Sequence, residues 1–457
     1  MSGRVVVVGA GPAGMAAAIG AADAGGPVLL VDSAAGPGGQ YYRQRAVGRR
    51  TPSSELQNRL TSHPDVTYLP DTSVWALEPA DGSHLLRLQT GAADAPGRTV
   101  RTVVAAALVL ATGAYDRALP FPNWDLPGVY TAGAAQALAK GQGIAVGQRV
   151  LVAGTGPFLL PVAASLVAAG AHVTGVLEAN RATAIGRTWL GRPAVAARKL
   201  GELASYGVVL ARHRIGVRYG TAVIAAHGTD RVESVSTARL DLDWNPVPGT
   251  RREVAVDAVC VGYGFNAQLE LAVSARCALT TAPDGGGAVV VDTDQRTSVP
   301  GVYAAGELTG VGGAGAAEAE GAVAGAAAAH QLGHGTGPTS AQRQLVARGN
   351  RLAATLAAAY PVRDGWRGWL TGDTLVCRCE EVSYDELSEA VRTRAATGPR
   401  AIKLTSRAGL GLCQGRVCAR NTAELLGVPL DHTAAAGRPI AVPVRLGDLA
   451  RTPLEEQ

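Results

Sequence analysis

The fold of this chain is decided by Arg4-Val-Val-Val-Val8, Gly9-Ala-Gly-Pro-Ala-Gly14 and Val28-Leu-Leu-Val-Asp32. These segments read as a strand, a phosphate loop that opens a small-residue helix, and a second strand that ends on an acid. The first glycine permits the tight turn, the second lets the backbone approach a pyrophosphate, and the third lets the helix pack closely on the strand. The helix N-terminus presents unpaired N–H groups to the phosphates, and Asp32 is placed to accept a hydrogen bond from a ribose hydroxyl. The stretch predicts adenine-dinucleotide binding.

Length and composition limit the possible domain organisation, partners and location of the protein. A chain of 457 residues with 47% apolar residues should form two or three domains with their own cores. The net charge is +5, but lysine occurs only at Lys140, Lys199 and Lys403 and the arginines are scattered, so a nucleic-acid-binding face is not expected. The sequence has no apolar run of about 18 residues that would cross a membrane, and the N-terminal apolar run is already used as a strand. The expected location is the cytoplasm, with contact to the inner face of the membrane left open.

Residues 148–178 repeat the opening pattern, with Gly154-Thr-Gly-Pro157 after a strand and Glu178 after the next one. A second dinucleotide-type unit is therefore expected inside the first. Leu159 stands at the third glycine position, where its side chain obstructs the closest helix–strand approach. We therefore expect a structural scaffold here, with NAD(P) binding at this second site disfavoured.

The rest of the body is predicted from apolar runs. The expected strands are Val66 to Leu69, Ser73 to Leu77, His84 to Gln89, Thr102 to Leu110 and Val254 to Gly264. A later strand ends in Gly306-Glu307 and precedes a helix over 312–328. In flavoproteins with two dinucleotide domains, such a strand places its acid on the flavin ribityl hydroxyls, and the helix dipole stabilises negative charge on reduced flavin. This order favours FAD over NAD at the first site.

Four of the six cysteines lie in the last fifth of the chain, as Cys377-Arg-Cys379 and Cys413-Gln-Gly-Arg-Val-Cys418. A helical segment, Tyr384 to Thr397, and a short extended run, Ala401 to Thr405, are expected between them. Four thiolates from two loops can complete the tetrahedra of two irons in a [2Fe-2S] cluster. Zinc is the alternative, although zinc ribbons usually space both pairs as C-x2-C, which favours the cluster.

The combined prediction is an α/β flavoprotein with two dinucleotide-binding domains, the second Rossmann-like unit inserted in the FAD domain, and a small C-terminal [2Fe-2S] domain. The predicted parts are 1–116 and 265–332 for the FAD domain, 117–264 for the insertion, 333–374 for a linker and helix, and 375–457 for the [2Fe-2S] domain and tail. The tail, Arg438 to Leu449, could dock a partner or cover the cluster.

The whole chain resembles the α-type FAD and [2Fe-2S] subunits of bacterial heteromeric amine and amino-acid dehydrogenases, the family of D-hydroxyproline dehydrogenase, opine oxidase and hydrogen cyanide synthase. The C-terminal part is similar to bacterioferritin-associated ferredoxins. The residues that carry the resemblance are Gly9 to Gly14, Ala111 to Arg117, Leu119 to Val129, Gly154 to Pro157, Val261 to Phe265, Gly306 with Gly310 to Gly313, Cys377 to Glu380, and Cys413 to Arg416 with Cys418. Glu307 is a departure, because relatives commonly carry Asp there.

The resemblance implies that substrate is oxidised on a partner β-type FAD-dependent subunit, with a small additional subunit as a further candidate partner, and that this chain accepts the electrons. It leaves the catalytic residues, the substrate and the final acceptor unassigned. The FAD contacts it implies are Gly9, Gly11, Pro12, Ala13, Gly14, Asp32, Ser33, Gly39, Gln40, Val74, Ala111, Thr112, Gly113, Gly306 and Glu307, and the metal ligands are Cys377, Cys379, Cys413 and Cys418. Two alternatives stay open: a self-contained NAD(P)H-dependent reductase, and an iron-sulfur carrier with a vestigial flavin site.

Overall fold

The computed structural model of the chain describes residues 3–43, 54–80, 82–92, 95–428, 430 and 440–451. In chain order, the elements of the first 212 residues are β1 (Val5–Val8), α1 (Pro12–Asp23), β2 (Val28–Val31), α2 (Glu55–Ser62), β3 (Val66–Leu69), β4 (Thr72–Ala80), β5 (Ser83–Thr90), β6 (Thr99–Ala105), β7 (Ala107–Leu110), β8 (Ala114–Asp116), β9 (Val129–Thr131), α3 (Ala132–Gln142), β10 (Arg149–Gly154), α4 (Leu159–Ala168), β11 (His172–Glu178), α5 (Ala182–Leu190) and α6 (Pro193–Arg212).

The later elements are β12 (Val217–Tyr219), β13 (Thr221–His227), β14 (Ser234–Arg239), β15 (Arg252–Ala255), β16 (Ala258–Gly262), β17 (Phe265–Ala267), α7 (Glu270–Ser274), β18 (Leu279–Thr281), β19 (Gly287–Val289), β20 (Val302–Ala304), α8 (Ala314–Gln331), α9 (Ser340–Ala359), a 3-10 helix (Asp364–Trp369), β21 (Leu375–Cys377), β22 (Val382–Ser383), α10 (Tyr384–Arg394), α11 (Pro399–Ser406), α12 (Ala419–Leu426) and α13 (Leu446–Ala450). Two compact units result. The first contains Met1–Ala114, Ala267–Ala354 and His432–Gln457, and the second contains Tyr115–Asn266 and Thr355–Asp431.

The first unit is built on a parallel sheet with the strand order β20-β7-β1-β2-β3. Strand β1 lies in the middle, with Val5 paired to Val28 of β2 on one side and to Ala107 of β7 on the other. The residues of β1, β2 and β7 are buried, as expected for a parallel sheet that is covered on both faces. Because the carboxyl ends of β1, β2 and β20 meet at one edge, the loops that follow them gather there.

Helices α1 and α8 pack against each other at very short range. A Cβ on Gly321 would lie 2.0 Å from the Ala13 carbonyl oxygen, and one on Gly325 would lie 2.0 Å from that of Ala17. Side chains at these two positions of α8 are therefore excluded, and the backbones approach closely. This contact fixes the start of α1, which follows the phosphate loop.

A three-stranded antiparallel sheet, β4-β5-β6, completes the first unit together with part of the tail. The Ala441 N–H donates to the Trp75 carbonyl at 2.7 Å, and Gln89 donates to buried Asp448 at 2.5 Å. Residues 440–449 of the predicted tail segment thus pack on this sheet, whereas residues 438 and 439 lie outside the described residues.

The second unit contains another parallel sheet, β12-β11-β10-β16-β9, and an antiparallel sheet, β13-β14-β15. Together with the first sheet, this establishes the predicted α/β class with two dinucleotide-type folds. The cysteine-bearing part belongs to this unit and contains the hairpin β21-β22 and helices α10 to α12.

Three element predictions were wrong. The run Thr102 to Leu110 divides into β6 and β7, which belong to different sheets, because the chain bends at Ala106 within an apolar run that carries no turn residue. The run Val254 to Gly264 likewise divides into β15 and β16. Residues 401–405 form part of α11 and not an extended run, since Pro399 at the helix start presets helical φ and Ile402 is buried beneath the helix.

Candidate functional site

The phosphate loop of the first unit excludes side chains at its outer glycines. Gly9 has φ +103°, and a Cβ there would lie 2.2 Å from the Ala111 carbonyl oxygen. A Cβ on Gly14 would lie 1.6 Å from the Gly9 oxygen. Helix α1 begins at Pro12, and no side chain caps its N-terminus at Gly11. Its first N–H groups and its positive dipole end are thus available to an anion.

Asp32 holds the phosphate loop in shape. Its carboxylate accepts the Ala10 N–H at 2.5 Å and the Ala34 N–H at 2.6 Å. Burial raises the pKa of Asp32, and the two N–H donors oppose that shift. Each carboxylate oxygen can accept a further bond, so these contacts are compatible with the predicted ribose contact. Ser33 is exposed beside it, and the side chain of Val74 packs in the core of the unit, which leaves only its backbone for a nucleotide.

The loop over residues 36–42 lies against the phosphate loop. The Gly38 N–H donates to the Ala10 carbonyl at 2.8 Å, and a Cβ on Gly39 would lie 2.8 Å from the Cα of Gly11. Gln40 is exposed at the end of the loop. Sequence reasoning missed Gln57, a fully buried amide of α2 that donates to the carbonyls of residues 37 and 42 at 2.8 and 3.0 Å. A glutamine on the apolar stripe of α2 was the available signal.

The strand ends around Gly113 and Gly306 carry the remaining predicted contacts. The Thr112 hydroxyl donates to the Gln268 carbonyl at 2.9 Å, and Gly113, at φ +78°, accepts the Gln268 N–H at 2.9 Å. Ala111 is buried directly before them. Gly306, at φ +82°, would bring a Cβ to 2.9 Å from the Cβ of Ala13. The β20 end is thus as close to the start of α1 as glycine allows.

Two carboxylates flank Gly306: that of Glu320 is buried, and that of Glu307 is half-buried. Glu320 of α8 accepts the Gly306 N–H and the Thr309 hydroxyl, each at 2.8 Å. One oxygen of Glu307 accepts the Gly313 N–H at 3.1 Å, while its Oε2 is buried with no hydrogen-bond partner among the described residues. Burial raises the pKa of each carboxyl to about 7, and Glu320 adds repulsion at Glu307. Sequence reasoning identified Glu307 but not Glu320.

These features fit a flavin nucleotide. A buried acceptor without a donor, Glu307 Oε2, suits a ligand that carries hydroxyl groups, and the glycine cradle at Gly9, Gly11 and Gly14 suits a pyrophosphate. The residues that would hold FAD are those of the loop after β1, Asp32, the loop over residues 36–42, and the β20 end.

In the second dinucleotide-type loop, the acid Glu178 already accepts hydrogen bonds from neighbouring residues of the protein. Glu178 accepts the Thr155 hydroxyl at 2.7 Å, the Gly156 N–H at 2.8 Å and the Asn180 N–H at 2.8 Å. It is almost fully buried, and that burial raises its pKa to about 7. Leu159 is buried beside Gly262, where an added Cβ would lie 3.7 Å from its side chain and 2.9 Å from the Cβ of Ala132.

Residues 360–369 cover the same edge of the second parallel sheet. Asn180 donates to the Pro361 carbonyl at 3.1 Å, and Trp369 donates to the Trp244 carbonyl at 3.0 Å while their rings stack 6.1 Å apart. Trp366 is fully buried in the same core cluster. We call residues 360–369 the linker strap. A strap in this position was not foreseen from the sequence.

The four C-terminal cysteines come together. Cys377 and Cys379 have their sulfurs 3.8 Å apart, and those of Cys379 and Cys413 are 3.7 Å apart. Cys418 is hydrogen bonded to Cys377. These separations exceed a disulfide bond and match the edge of a tetrahedron, about 3.8 Å, around a metal at about 2.3 Å from sulfur. Because the described residues include no group of three or more His, Cys, Asp or Glu side chains arranged to hold one metal ion, these distances by themselves identify neither zinc nor iron.

The surroundings favour the thiolate form of one of the four sulfurs, that of Cys377. The pKa of Cys377 is lowered to about 5, chiefly because Cys418 donates to it, and the Gly409 N–H donates at 3.5 Å. Burial and the neighbouring Cys413 raise the pKa of Cys379 to about 11. A Cβ on Gly411 would lie 2.6 Å from the Cys379 sulfur. Cys377 is thus the ligand whose thiolate form is most favoured, and a bound cation would offset the repulsion among the four sulfurs.

The cysteine-bearing part is anchored on the segment 115–126 of the same unit. Trp124 donates to the Leu375 carbonyl at 2.6 Å, and Asn421 of α12 donates to the Ala118 carbonyl at 2.8 Å. Buried Arg117 pairs with Glu424 at 2.5 Å. The sequence marked Arg117 and Trp124 only as part of a family pattern, and the structure shows their role in this anchor.

Two family models match this chain. The pyridine nucleotide-disulphide oxidoreductase model matches residues 3–333, and the BFD-like [2Fe-2S] binding domain model matches residues 375–427. These matches define the class: a flavoprotein oxidoreductase with a C-terminal [2Fe-2S] domain. They support FAD-type binding in the first unit and a cluster, not zinc, at the cysteines.

The chain belongs to the family of α-type FAD and [2Fe-2S] subunits that contains the corresponding subunits of opine oxidase and of hydrogen cyanide synthase (HcnB), which confirms the resemblance found in the sequence. The opine oxidase subunit of Agrobacterium tumefaciens (strain Ach5) is 34% identical, over 98% of this chain and 92% of the relative. HcnB of Pseudomonas protegens is 31% identical over 92% and 90%. L-proline dehydrogenase from P. horikoshii shares the fold, with a TM-score of 0.67 at 21% identity over 98% of this chain and 79% of that one.

The helices of the described residues include none with the length and apolar character that a membrane crossing requires.

Proposed function

We propose that this chain is the electron-transfer (α) subunit of a heteromeric dehydrogenase or oxidase that oxidises an amine, amino acid or opine on a partner β-type flavoprotein subunit. The observation that carries the proposal is the presence, in one polypeptide, of a flavin-type nucleotide cradle and a four-cysteine site. The relatives from opine oxidase and hydrogen cyanide synthase are, by their names, subunits of such enzymes.

The two sites have complementary chemistry. FAD can exchange two electrons or one, whereas a [2Fe-2S] cluster passes single electrons, so a chain that holds both can convert a two-electron oxidation into one-electron steps. This chain's residues supply binding and electrostatics. The N-termini of α1 and α8 favour negative charge near the nucleotide, and Gly409 N–H favours negative charge on Cys377.

The proposal excludes NAD(P)H as the donor. The linker strap covers the edge of the sheet where Glu178 would meet a ribose, and Glu178 is already satisfied by Thr155, Gly156 and Asn180. Anaerobic addition of NADH or NADPH to the isolated chain should leave the flavin absorption near 450 nm, the usual band of oxidised flavin, unchanged on the timescale of turnover. Rapid bleaching would instead favour the self-contained reductase.

Co-expression with a β-type subunit tests the division of labour. The chain should be purified alone and together with the product of a β-type gene, and both preparations should be assayed for amine-dependent dye reduction. The complex should be active and the lone chain should retain FAD and iron without oxidising amines. Full activity of the lone chain would contradict the proposal, and a lone chain that binds iron but no FAD would favour the iron-sulfur carrier.

A further inference from the structure

Helix α11 presents a mixed cationic and apolar stripe beside the cysteine site. Arg400, Lys403 and Leu404 lie at helical spacing on one face of α11, and Arg407 directly follows the helix as its C-cap. Leu404 is 64% exposed and Arg407 has a side chain that is 71% exposed, whereas Ile402, at a different angle around the helix, is buried. The leucine is therefore on the outside of the domain and not part of its core.

The loop after α11 extends this stripe to the cysteines. Leu410 and Leu412 are 39% and 72% exposed, and the second directly precedes Cys413. Gly411 between them faces the Cys379 sulfur, and Cys379 is itself exposed. Leu410 and Leu412 thus flank Gly411, the residue that contacts a metal-binding thiol. We call Arg400, Leu404, Leu410 and Leu412, together with exposed Cys379, the cluster face.

The charge of this region is predominantly positive. Within residues 378–381 and 400–412, the cations are Arg378, Arg400, Lys403 and Arg407, and the acids are Glu380 and Glu381. Arg407 pairs with Glu380 at 2.7 Å. An apolar centre with a charged rim is the usual anatomy of a protein interface, and complementary charge accelerates the encounter of the two partners.

We propose that the cluster face docks an acidic one-electron carrier protein. The inference rests on the proposed function, because it identifies the surface through which electrons would leave this chain. In each encounter the reduced cluster loses one electron and the carrier gains it, with no bond made or broken, so two encounters complete one two-electron oxidation. A lipid surface fits less well, since α11 has eight residues and membrane-surface helices usually need a longer apolar face.

The test uses the full chain with its cofactors and an acidic ferredoxin, reduced photochemically, as the probe. Stopped-flow absorption should give the second-order rate constant for electron transfer from the ferredoxin to this chain. At low ionic strength, Arg400→Glu should lower that constant about tenfold and should lose this effect at high salt. Glu at position 400, in the first turn of α11, suits the helix dipole, so folding should be unaffected. Leu404→Gln should lower the constant several-fold at all salt concentrations.

Two controls carry the same kinds of change away from the cluster face. Arg392→Glu alters a side chain of α10 that is 74% exposed, and Leu446→Gln alters a leucine that is 83% exposed in the first unit. Both variants should keep the wild-type constant. Visible spectra of every variant report whether the cofactors are retained.

Equal rate constants for the wild type and both cluster-face variants would overturn the inference. Binding to phosphatidylglycerol vesicles that the variants lose, with an unchanged ferredoxin rate, would identify a membrane surface instead. Self-association that the variants lose, again with an unchanged rate, would identify a contact between copies. The amine-dependent dye assay with the β-type subunit is independent of these measurements, so failure of the proposed function can be distinguished from failure of the docking inference.

Discussion

At the scale of single residues, the cysteine quartet is the sharpest test of the chemistry. Cys379→Ser or Cys413→Ser removes a thiolate from a site whose sulfurs are 3.7 Å apart, so the cluster absorption and the iron content should fall by about tenfold. Cys277→Ser is the control, because Cys277 is also a cysteine outside any disulfide but lies in the first unit. Electron paramagnetic resonance of the reduced proteins checks the result, and full retention of the signal in both ligand variants would refute the assignment.

Glu320 gives a prediction on pH dependence. Its pKa is raised from 4.5 to about 7 by burial, so between these values the native chain holds a proton that the unfolded chain has released. The free energy of unfolding should therefore fall as the pH rises through this window and level off above it. Glu320→Gln keeps an oxygen for Gly306 and Thr309 and removes the titration, so it should gain up to about 3 kcal/mol above pH 7.

Calorimetric unfolding of both proteins between pH 4 and pH 8 measures this difference. Glu320→Ala is the control, because it also removes the carboxyl but leaves the Gly306 N–H without its acceptor. It should be less stable than the glutamine variant at every pH. If wild type and Glu320→Gln show parallel pH profiles, Glu320 is ionised in the native chain and the argument from burial is wrong.

Glu307 and Glu320 show how much of the site can be predicted from the sequence at the level of single residues. Glu307 could be identified because it follows a strand and a glycine, a local pattern with a known role. Glu320 lies in an alanine-rich helix with no distinguishing neighbours, and only the packing of α8 brings it to Gly306. The same holds for Gln57, whose partners are separated from it by at least 15 positions.

At the scale of elements, the contact between α1 and α8 controls the nucleotide site. Gly321→Ala would place a Cβ 2.0 Å from the Ala13 oxygen, and the helices would have to separate. We expect a loss of about 1 to 3 kcal/mol in stability and a lower FAD content, since the start of α1 moves with the helix. Gly207→Ala is the control, because Gly207 lies in α6 with open space around it and the same change there should stabilise the helix by up to about 1 kcal/mol.

The FAD content and the unfolding transition of the two variants can be compared directly. A Gly321→Ala protein with full FAD and unchanged stability would show that α8 can shift without disturbing the phosphate loop. The contact between the two helices would then not explain why position 321 is a glycine.

The sequence predicted elements well where a pattern was local. The β1-α1-β2 unit and its copy over β10-α4-β11 were found because glycines, apolar runs and acids recur at fixed spacing. Prediction from the sequence failed where tertiary contacts decide the course of the chain. Strands β6 and β7 form one continuous apolar run in the sequence but belong to different sheets. Helix α11 was mistaken for an extended run because Ile402 and Thr405 are β-branched, and burial against the domain core overrides that preference.

At the scale of the whole molecule, the domain order could be predicted because each part carries its own motif. The linker strap could not, because its position on the second nucleotide fold depends on contacts such as Asn180 with Pro361, which lie 181 positions apart. The boundaries 1–116, 117–264, 265–332, 333–374 and 375–457 stay predictions. The structure's own division places residues 355–431 with the inserted fold and 440–451 with the first unit.

The number of electrons that one chain accepts tests the central proposal at this scale. FAD takes two electrons and a [2Fe-2S] cluster takes one, so an anaerobic dithionite titration of the lone chain should end at about three electrons per chain. Cys413→Ser should end at about two, because the flavin site lies in the other unit and keeps its ligands. A wild-type endpoint at two would mean that the quartet holds zinc or nothing, since zinc takes up no electrons. An endpoint at one would mean that the first unit binds no redox-active flavin, and the chain would then be an iron-sulfur carrier.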